Sequence, residues 1–280
     1  MASFYIVSTP IGHLDDLTHR AEAVLRAVPR VLAEDTRHTK ILFRKYGIET
    51  PLLSAHAHNE QARAREVVRW LDAGDDVALV SDAGTPLLSD PGERLVRAVL
   101  EAGHMIVPVP GASALLAGFV AAGLPGSSFT FHGFAPRTGS GRAELLQEVA
   151  ASRRTSILYE SPNRLARLLA DLESACGGER PVVVGRELTK LHETFFRGTL
   201  REAIIYYAGT RVRGEVVVLV AGVAARPAAP DPDDAARRVR ALIEKGEKPS
   251  TAARLVARQL GISRREAYRL ALGETGREGE

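Results

Sequence analysis

Short apolar runs that stop abruptly at turn-forming residues, each followed by a segment of helical spacing, recur from the N-terminus. This alternation restricts the fold more than any other feature of the chain. Residues 4–8 are apolar and read as a strand, and residues 16–27 place Leu17, Ala21, Val24 and Leu25 on one side of a helix. Further strands are predicted at 31–33, 77–80 and 105–107, and helices at 39–46, 61–73 and 92–102. Such alternation implies a mostly parallel sheet with helices on its faces. Ligands then bind in loops at the carboxyl ends of the strands, so STPIGHLDD, EDTRHT, SDAGTP and PVPGASA are expected on one rim.

A second set of elements begins near Ser128. FTFHGF, TSILYES, PVVVGREL and GEVVVLVAG read as strands, with helices expected at 142–150, 164–173 and 201–207. The predicted class is therefore α/β, with one α/β domain over 1–112 and a second over 113–226. AARPAAPDPDDAA, rich in Pro, Ala and Asp, reads as a linker, placed at 227–234 ahead of a small helical module over 235–280. With 280 residues, 45% of them hydrophobic, the chain can bury a core in each larger domain. The single cysteine, Cys176, leaves no pair for a disulfide or a zinc site and suits a reducing compartment, so a cytoplasmic location is expected. MASFYIVSTPIG has no basic stretch ahead of its apolar run, and no run approaches the ~20 residues of a membrane span, so no membrane partner is expected.

The net charge of +3 is unevenly spread. From Ala235 to Leu272 there are ten Lys or Arg against three Glu, a balance of +7 in a module too small for more than a few helices. Within it, PSTAARLVARQLGISRREAYRLAL reads as a helix, a stop at Gly261, and a second helix opened by Ser263 with Glu266 three residues on, a capping box. The shape is that of a helix-turn-helix. Surface helices are often basic and merely solvated; concentrated charge on a recognised motif favours nucleic-acid contact instead.

No G-x-G-x-x-G follows the first strand and no G-x-x-x-x-G-K-[ST] occurs, which argues against dinucleotide and nucleoside-triphosphate enzymes. No G-x-S-x-G elbow is present either. His56 and His58 share one side of an extended chain, a spacing metal ligands use, but no Cys pair or evident carboxylate accompanies them and no metal is expected. EDTRHTK concentrates Glu34, Asp35, Arg37, His38 and Lys40 after a strand. A helix cap by Thr36 or Asp35 and an Arg37–Glu34 pair could account for part of that, and the rim position favours a role facing substrate. GRELTKLHE clusters Arg186, Glu187 and Lys190 in the same way. In SDAGTP, Gly84 lets the backbone approach a ligand, Asp82 accepts from hydroxyl or ammonium donors, and Pro86 stiffens the loop. Such a loop suits a ligand with a ribose, amino-acid or adenine-like edge. PGASA adds the Ser113 hydroxyl, and a second Ser-Asp-Pro-Gly follows at 89–92.

Taken in order, STPIGHLDDLT, EDTRHTKILFRKYGI, SAHAHNE, LVSDAGTPLLSDPG, VPVPGASA, LYESPNRL and GRELTKLHE resemble the tetrapyrrole methylase superfamily, and within it a bacterial subgroup that methylates small-subunit ribosomal RNA. The similarity covers most of residues 4–223, and AARLVARQLGISRREAYRLAL resembles that subgroup's tail. His13 departs from it, standing where the subgroup usually has Asn. The resemblance implies S-adenosyl-L-methionine bound between the two α/β domains. It also implies methyl transfer to the 2′-hydroxyl of a cytidine in the decoding region of 16S rRNA in the small ribosomal subunit, and a homodimer. Cofactor contacts are implied from Pro10, from Asp82, Ala83, Gly84, Thr85 and Pro86, from Ser113 and Ala114, and from Tyr159 and Leu188 in the second domain. Ser81-Asp82-Ala83 here stands for the superfamily's Gly-Asp-Pro.

In-line transfer from a sulfonium depends on aligning the hydroxyl with the methyl carbon, and a nearby base and positive charge assist. Glu34, Asp35, Glu160 and Glu187 are candidate acids and Arg37, Arg186 and Lys190 candidate cations, with Glu34, Asp35, Arg37, Glu187 and Lys190 the catalytic set to test. The sequence does not select among them. Two other readings stay open: a small-molecule methyltransferase of the same superfamily, which has no use for the +7 tail, and a helix-turn-helix DNA-binding metabolite sensor, which binds duplex DNA without turnover.

Overall fold

Where an apolar run is buried on both faces it becomes a central parallel strand, and the first sheet is built on that rule. In the computed structural model, which describes residues 2–223, 232–260 and 263–271, β1 (Ser3–Val7), β2 (Arg30–Ala33), β3 (Leu52–Ser54), β4 (Val77–Val80) and β5 (Met105–Val109) form one sheet in the order β3-β2-β4-β1-β5. All its pairings are parallel, with Phe4 opposite Val77 and Ile106. Each residue of β4 is buried, as a strand covered on both faces requires. The intervening helices are α1 (His19–Ala27), α2 (Thr36–Tyr46), α3 (Glu60–Asp72) and α4 (Glu93–Glu101). Thr18 caps α1 by accepting from Ala21 N (3.1 Å), and Asp35 caps α2 by accepting from Arg37 N (2.8 Å).

The second sheet departs from the parallel pattern. β6 (Phe129–Phe134), β7 (Thr155–Glu160), β8 (Pro181–Arg186), β9 (Thr194–Thr199) and β10 (Val216–Val220) lie in the order β6-β7-β10-β8-β9; only β6 and β7 are parallel. The central strand β10 is buried throughout. Helices α6 (Ser140–Ala151), α7 (Leu165–Cys176) and α8 (Leu200–Tyr207) cover one face, where Leu165, Leu168, Leu169 and Leu172 of α7 meet Val182, Val184, Val216 and Val218. The other face receives α5 (Ala114–Ala122), which lies between the sheets in sequence and packs Leu115 and Ala122 with Ile157, Leu188, Val217 and Leu219. Ile11, from the first half, belongs to that same apolar cluster, so the two sheets share a packed junction.

One buried carboxylate shapes the rim. Glu60, the first residue of α3 and only 7% exposed, accepts through Oε1 from Gly92 N (3.1 Å) and Arg94 N (2.8 Å), satisfying the opening amides of α4. Removing it orphans those amides. Glu60→Ala is expected to lower unfolding stability by about 1–3 kcal/mol, and Glu60→Gln, which keeps an acceptor, by less than half as much. Urea midpoints compare them, and an alanine effect below about 0.5 kcal/mol contradicts the clamp.

Residues 224–280 form a separate compact unit. Its described helices are α9 (Pro232–Glu244), α10 (Pro249–Leu260) and α11 (Arg264–Ala271). Small residues let them approach closely: Ala235 and Val239 of α9 pack with Ala252 and Val256, and Ala253 and Ala257 pack with Ala267 of α11. The expected stop at Gly261 and most of the expected linker, 227–231, lie outside the described residues.

Candidate active site

Three loops at the carboxyl ends of β1, β4 and β5 are stitched together backbone to backbone. Thr9 and Gly84 exchange N–H···O bonds of 2.8 and 3.0 Å, and Ser8 N donates to Val109 O (3.1 Å). Thr85 Oγ1 donates to Ala112 O (3.2 Å), which leaves it to accept from Ser8 Oγ at 3.0 Å. The arrangement requires Gly84 in a left-handed conformation, φ 77°, and a Cβ there would lie 3.2 Å from Ile11 Cγ2.

These loops form one wall of a cavity of about 540 Å³, within the range of small-molecule sites. The opposite wall comes from the second sheet through Phe134, Tyr159, Leu188 and Val217. Tyr159 OH accepts from Leu115 N (3.2 Å) at the opening of α5, and burial pushes its phenol pKa above the ordinary value.

The electrostatics are one-sided. Five carboxylates, Glu34, Asp82, Asp90, Glu160 and Glu215, line the cavity, and none of the lining residues is Lys, Arg or His. Asp82 Oδ1 accepts from Asp35 N (2.9 Å), and Oδ2 lies 3.6 Å from His38 Nδ1. Burial raises the Glu34 pKa, and Asp82, Asp90 and Asp35 add to the effect by repulsion. Burial raises Asp90 to about 6; the neighbouring Ser81 hydroxyl, which donates to Ala83 O (3.2 Å), opposes the rise and Asp82 reinforces it. The Glu160 side chain is wholly buried. Its Oε1 accepts from Ser161 N (2.8 Å) and pairs with Arg164 Nε (3.2 Å), while Oε2 has no hydrogen-bond partner among the described residues.

The residues singled out from sequence are distributed unevenly around this cavity. Asp82, Ala83, Gly84, Thr85, Ser113, Ala114, Tyr159 and Leu188 line it, as do Glu34 and Glu160. Pro10 and Pro86 are buried behind the loops. Asp35 and Arg37 sit at the head of α2, paired to each other at 2.6 Å, which holds the Asp35 carboxyl down at about 2; Arg37 is 88% exposed. Lys190 Nζ bonds Glu187 Oε1 (2.9 Å) and Glu215 Oε2 (3.0 Å), so this pair backs the 214–217 wall instead of facing the cavity. Arg186 binds Thr194 Oγ1 and the carbonyls of His192 and Arg213, fastening its own loop. His13 N donates to Thr189 Oγ1 (3.1 Å), and the rings of His56 and His58 meet edge to face, 5.9 Å between centroids. Among the described residues no group of three His, Cys, Asp or Glu could hold a metal ion.

Sequence reasoning missed Asp90, together with Leu88 and Ser89 of the same loop, and Phe134, Ser161 and Pro162 from the second sheet. The visible signal was the second Ser-Asp-Pro-Gly, which reads locally as an ordinary turn.

Comparison with known proteins places this geometry. Residues 3–204 match the family described as Tetrapyrrole (Corrin/Porphyrin) Methylases, and residues 229–275 match the RsmI C-terminal HTH domain. The chain is 44% identical over 274 residues to "Ribosomal RNA small subunit methyltransferase I" of Synechocystis sp., covering 97% of this chain and 98% of that one. It is 46% identical over 268 residues to the protein of the same name from Xylella fastidiosa, covering 95% and 97%. In fold it is similar to a uroporphyrin-III C-methyltransferase from Thermus thermophilus solved with S-adenosylhomocysteine, with a TM-score of 0.57 at 18% identity over 79% of this chain and 97% of that one. The chain belongs to the tetrapyrrole methylase family and, within it, to the ribosomal RNA small subunit methyltransferase I group.

Proposed function

We propose that this protein transfers a methyl group from S-adenosyl-L-methionine to the 2′-hydroxyl of a cytidine ribose in the decoding region of 16S rRNA. The observation that carries the donor assignment is the cavity's charge: five carboxylates, of which Glu160 and Glu215 are paired with Arg164 and Lys190 behind the wall, and no cation among the lining residues suit a ligand bearing a sulfonium and an ammonium. Gly84 and Thr85 would hold the donor from the first half, with Ser113, Ala114, Tyr159 and Leu188 opposite. When bound, the donor supplies an electrophilic methyl carbon. The chain's own residues then hold the acceptor hydroxyl in line with it and exclude water through Phe134, Leu188 and Val217.

The same charge repels phosphates, so an RNA substrate presents its ribose to the cavity while its backbone stays on basic surface elsewhere. Exposed arginines of α10 and α11 supply such surface. The identity of the acceptor rests on the family resemblance and the relatives' names. A homodimer is part of the reading, supported by apolar side chains left exposed on α5 and at the β5 edge, Leu116 (49%), Val120 (80%) and Met105 (51%); a cytoplasmic location is part of it too, and rests on the relatives' names alone.

The test is methyl transfer from labelled S-adenosyl-L-methionine to purified, undermethylated small subunits, with free 16S rRNA and duplex DNA alongside and nuclease mapping of the product. Label on one cytidine ribose is the expected outcome. Donor binding with no RNA labelled would transfer the assignment to a small-molecule methylase.

A further inference from the structure

The cavity's carboxylates differ in what holds them. Asp82 engages one oxygen with a backbone amide and the other faces His38. Glu160 has one oxygen on Ser161 N and Arg164, and Glu215 is paired with Lys190. Glu34 has no hydrogen bond among the described residues to aim it. Asp90 likewise has no cation paired with it among the described residues, and the Ser81 hydroxyl donates to Ala83 O (3.2 Å); what sets Asp90 apart from Glu34 is the loop that carries it.

Asp90 also sits in a loop whose shape is imposed. Leu87 (φ 73°) and Ser89 (φ 75°) are left-handed without being glycine, a conformation costing about 1–2 kcal/mol per residue that the surroundings must hold in place. One end of the loop is fixed by Glu60 on Gly92 N and Arg94 N. On its other side Ser89 Oγ lies against β6, where a Cβ at Gly133 would come within 2.9 Å of it. The loop therefore crosses from the first sheet to the second and carries Asp90 into the cavity wall.

We propose that Asp90 is the catalytic base, its carboxylate accepting the proton of the acceptor hydroxyl as the methyl group arrives. This rests on the methyl-transfer reading above. The bond formed joins the acceptor oxygen to the methyl carbon, and the bond broken is sulfur–carbon, its electron pair staying on sulfur and cancelling the sulfonium charge. The hydroxyl proton goes to the Asp90 carboxylate and from there to solvent. Glu60 acts as a positioning residue through the loop it anchors.

The groups facing Asp90 are Ser81 and Asp82 after β4, Glu34 after β2 and Tyr159 on β7. A base titrating at about 6 is active when deprotonated. The single-turnover rate therefore rises with pH and levels off above 7, about tenfold lower at pH 5 than on the plateau.

The experiment uses the full chain with undermethylated small subunits, labelled S-adenosyl-L-methionine for turnover, and S-adenosylhomocysteine as the calorimetric probe. Asp90→Asn is expected to slow single-turnover transfer about 10²–10⁴-fold and to erase the ascending limb, with S-adenosylhomocysteine affinity held within about threefold. Asp90→Glu, which keeps a carboxylate, recovers about tenfold or more over Asn, and Glu34→Gln keeps the limb. An Asp90→Asn rate within about threefold of wild type overturns the assignment, as does loss of S-adenosylhomocysteine binding, which would make Asp90 a donor contact. A flat wild-type profile between pH 5 and 8 overturns it even where the variant does not fold. A wild type that labels no RNA removes the functional reading itself, and this assignment with it; an active wild type indifferent to Asp90→Asn removes only the assignment.

Discussion

Gly84→Val is expected to reduce affinity for S-adenosylhomocysteine by about 100-fold or more while leaving the chain folded. Gly84 is left-handed at φ 77°, a region that costs a β-branched residue more than the 1–2 kcal/mol typical of an L-residue. Its added Cβ lies 3.2 Å from Ile11 Cγ2, so the side chain has nowhere to go without moving that wall. Relief means shifting the loop, which breaks the paired Thr9–Gly84 bonds and displaces Thr85 from both Ser8 and Ala112. Each of these changes occurs where the donor is proposed to sit. A drop of about 100-fold corresponds to about 2.7 kcal/mol, comparable to the strain plus one or two lost hydrogen bonds. Gly47→Val is the matched control: it follows α2 at φ 58° with nothing within 4 Å of the added Cβ. It carries similar backbone strain far from the loop, so it should lower the melting temperature without touching affinity. Calorimetry on both variants decides the matter, and equal affinity losses, or an unaffected Gly84→Val, would remove this loop from the donor site.

How much of this was legible beforehand depends on where the information resides. The central strand β4 was readable because a strand buried on both faces is a continuous apolar run. Helix α5 was not, because ALLAGFVAA is apolar on every side and has no stripe to give a period. Its direction of burial emerges only against the second sheet, which takes Leu115, Gly118 and Ala122 and leaves Leu116 and Val120 outside. The second sheet's mostly antiparallel order was also hidden: β9 carries the mixed, half-exposed TFFRGT, and its pairing with β8 is what places it. The SDAGTP loop was readable as a cavity wall through its Gly and Asp. Asp90 could not announce itself, since its neighbours in sequence describe a turn and only the return of residues 87–92 toward β6 brings it into the cavity. Asp35 and Arg37 show the converse. Two charged residues at a helix start looked chemical, and the structure engages them with a helix cap and with each other.

Neutralising four exposed arginines of the tail, as Arg254→Ala, Arg258→Ala, Arg265→Ala and Arg269→Ala combined, is expected to weaken binding to the small subunit by about 100-fold at 0.15 M salt, with donor affinity unchanged. Arg254 and Arg258 stand one helical turn apart on α10, and Arg265 and Arg269 one turn apart on α11, so each pair forms a two-residue basic stripe. None of the four belongs to the alanine and valine core that packs these helices, so the module should still fold. Each phosphate contact to single-stranded RNA releases about 0.7 of a counterion, worth about 0.8 kcal/mol at 0.15 M salt, and four such contacts amount to about 3 kcal/mol. The slope of log affinity against log salt should accordingly fall by about 3, which is the more discriminating readout because folding defects do not change it in that way. A small-molecule methylase would show no loss of turnover on its substrate in this variant. A DNA-binding sensor would lose duplex DNA binding with no particle binding to lose, so the salt slope, measured on small subunits and on duplex DNA in parallel, separates all three readings.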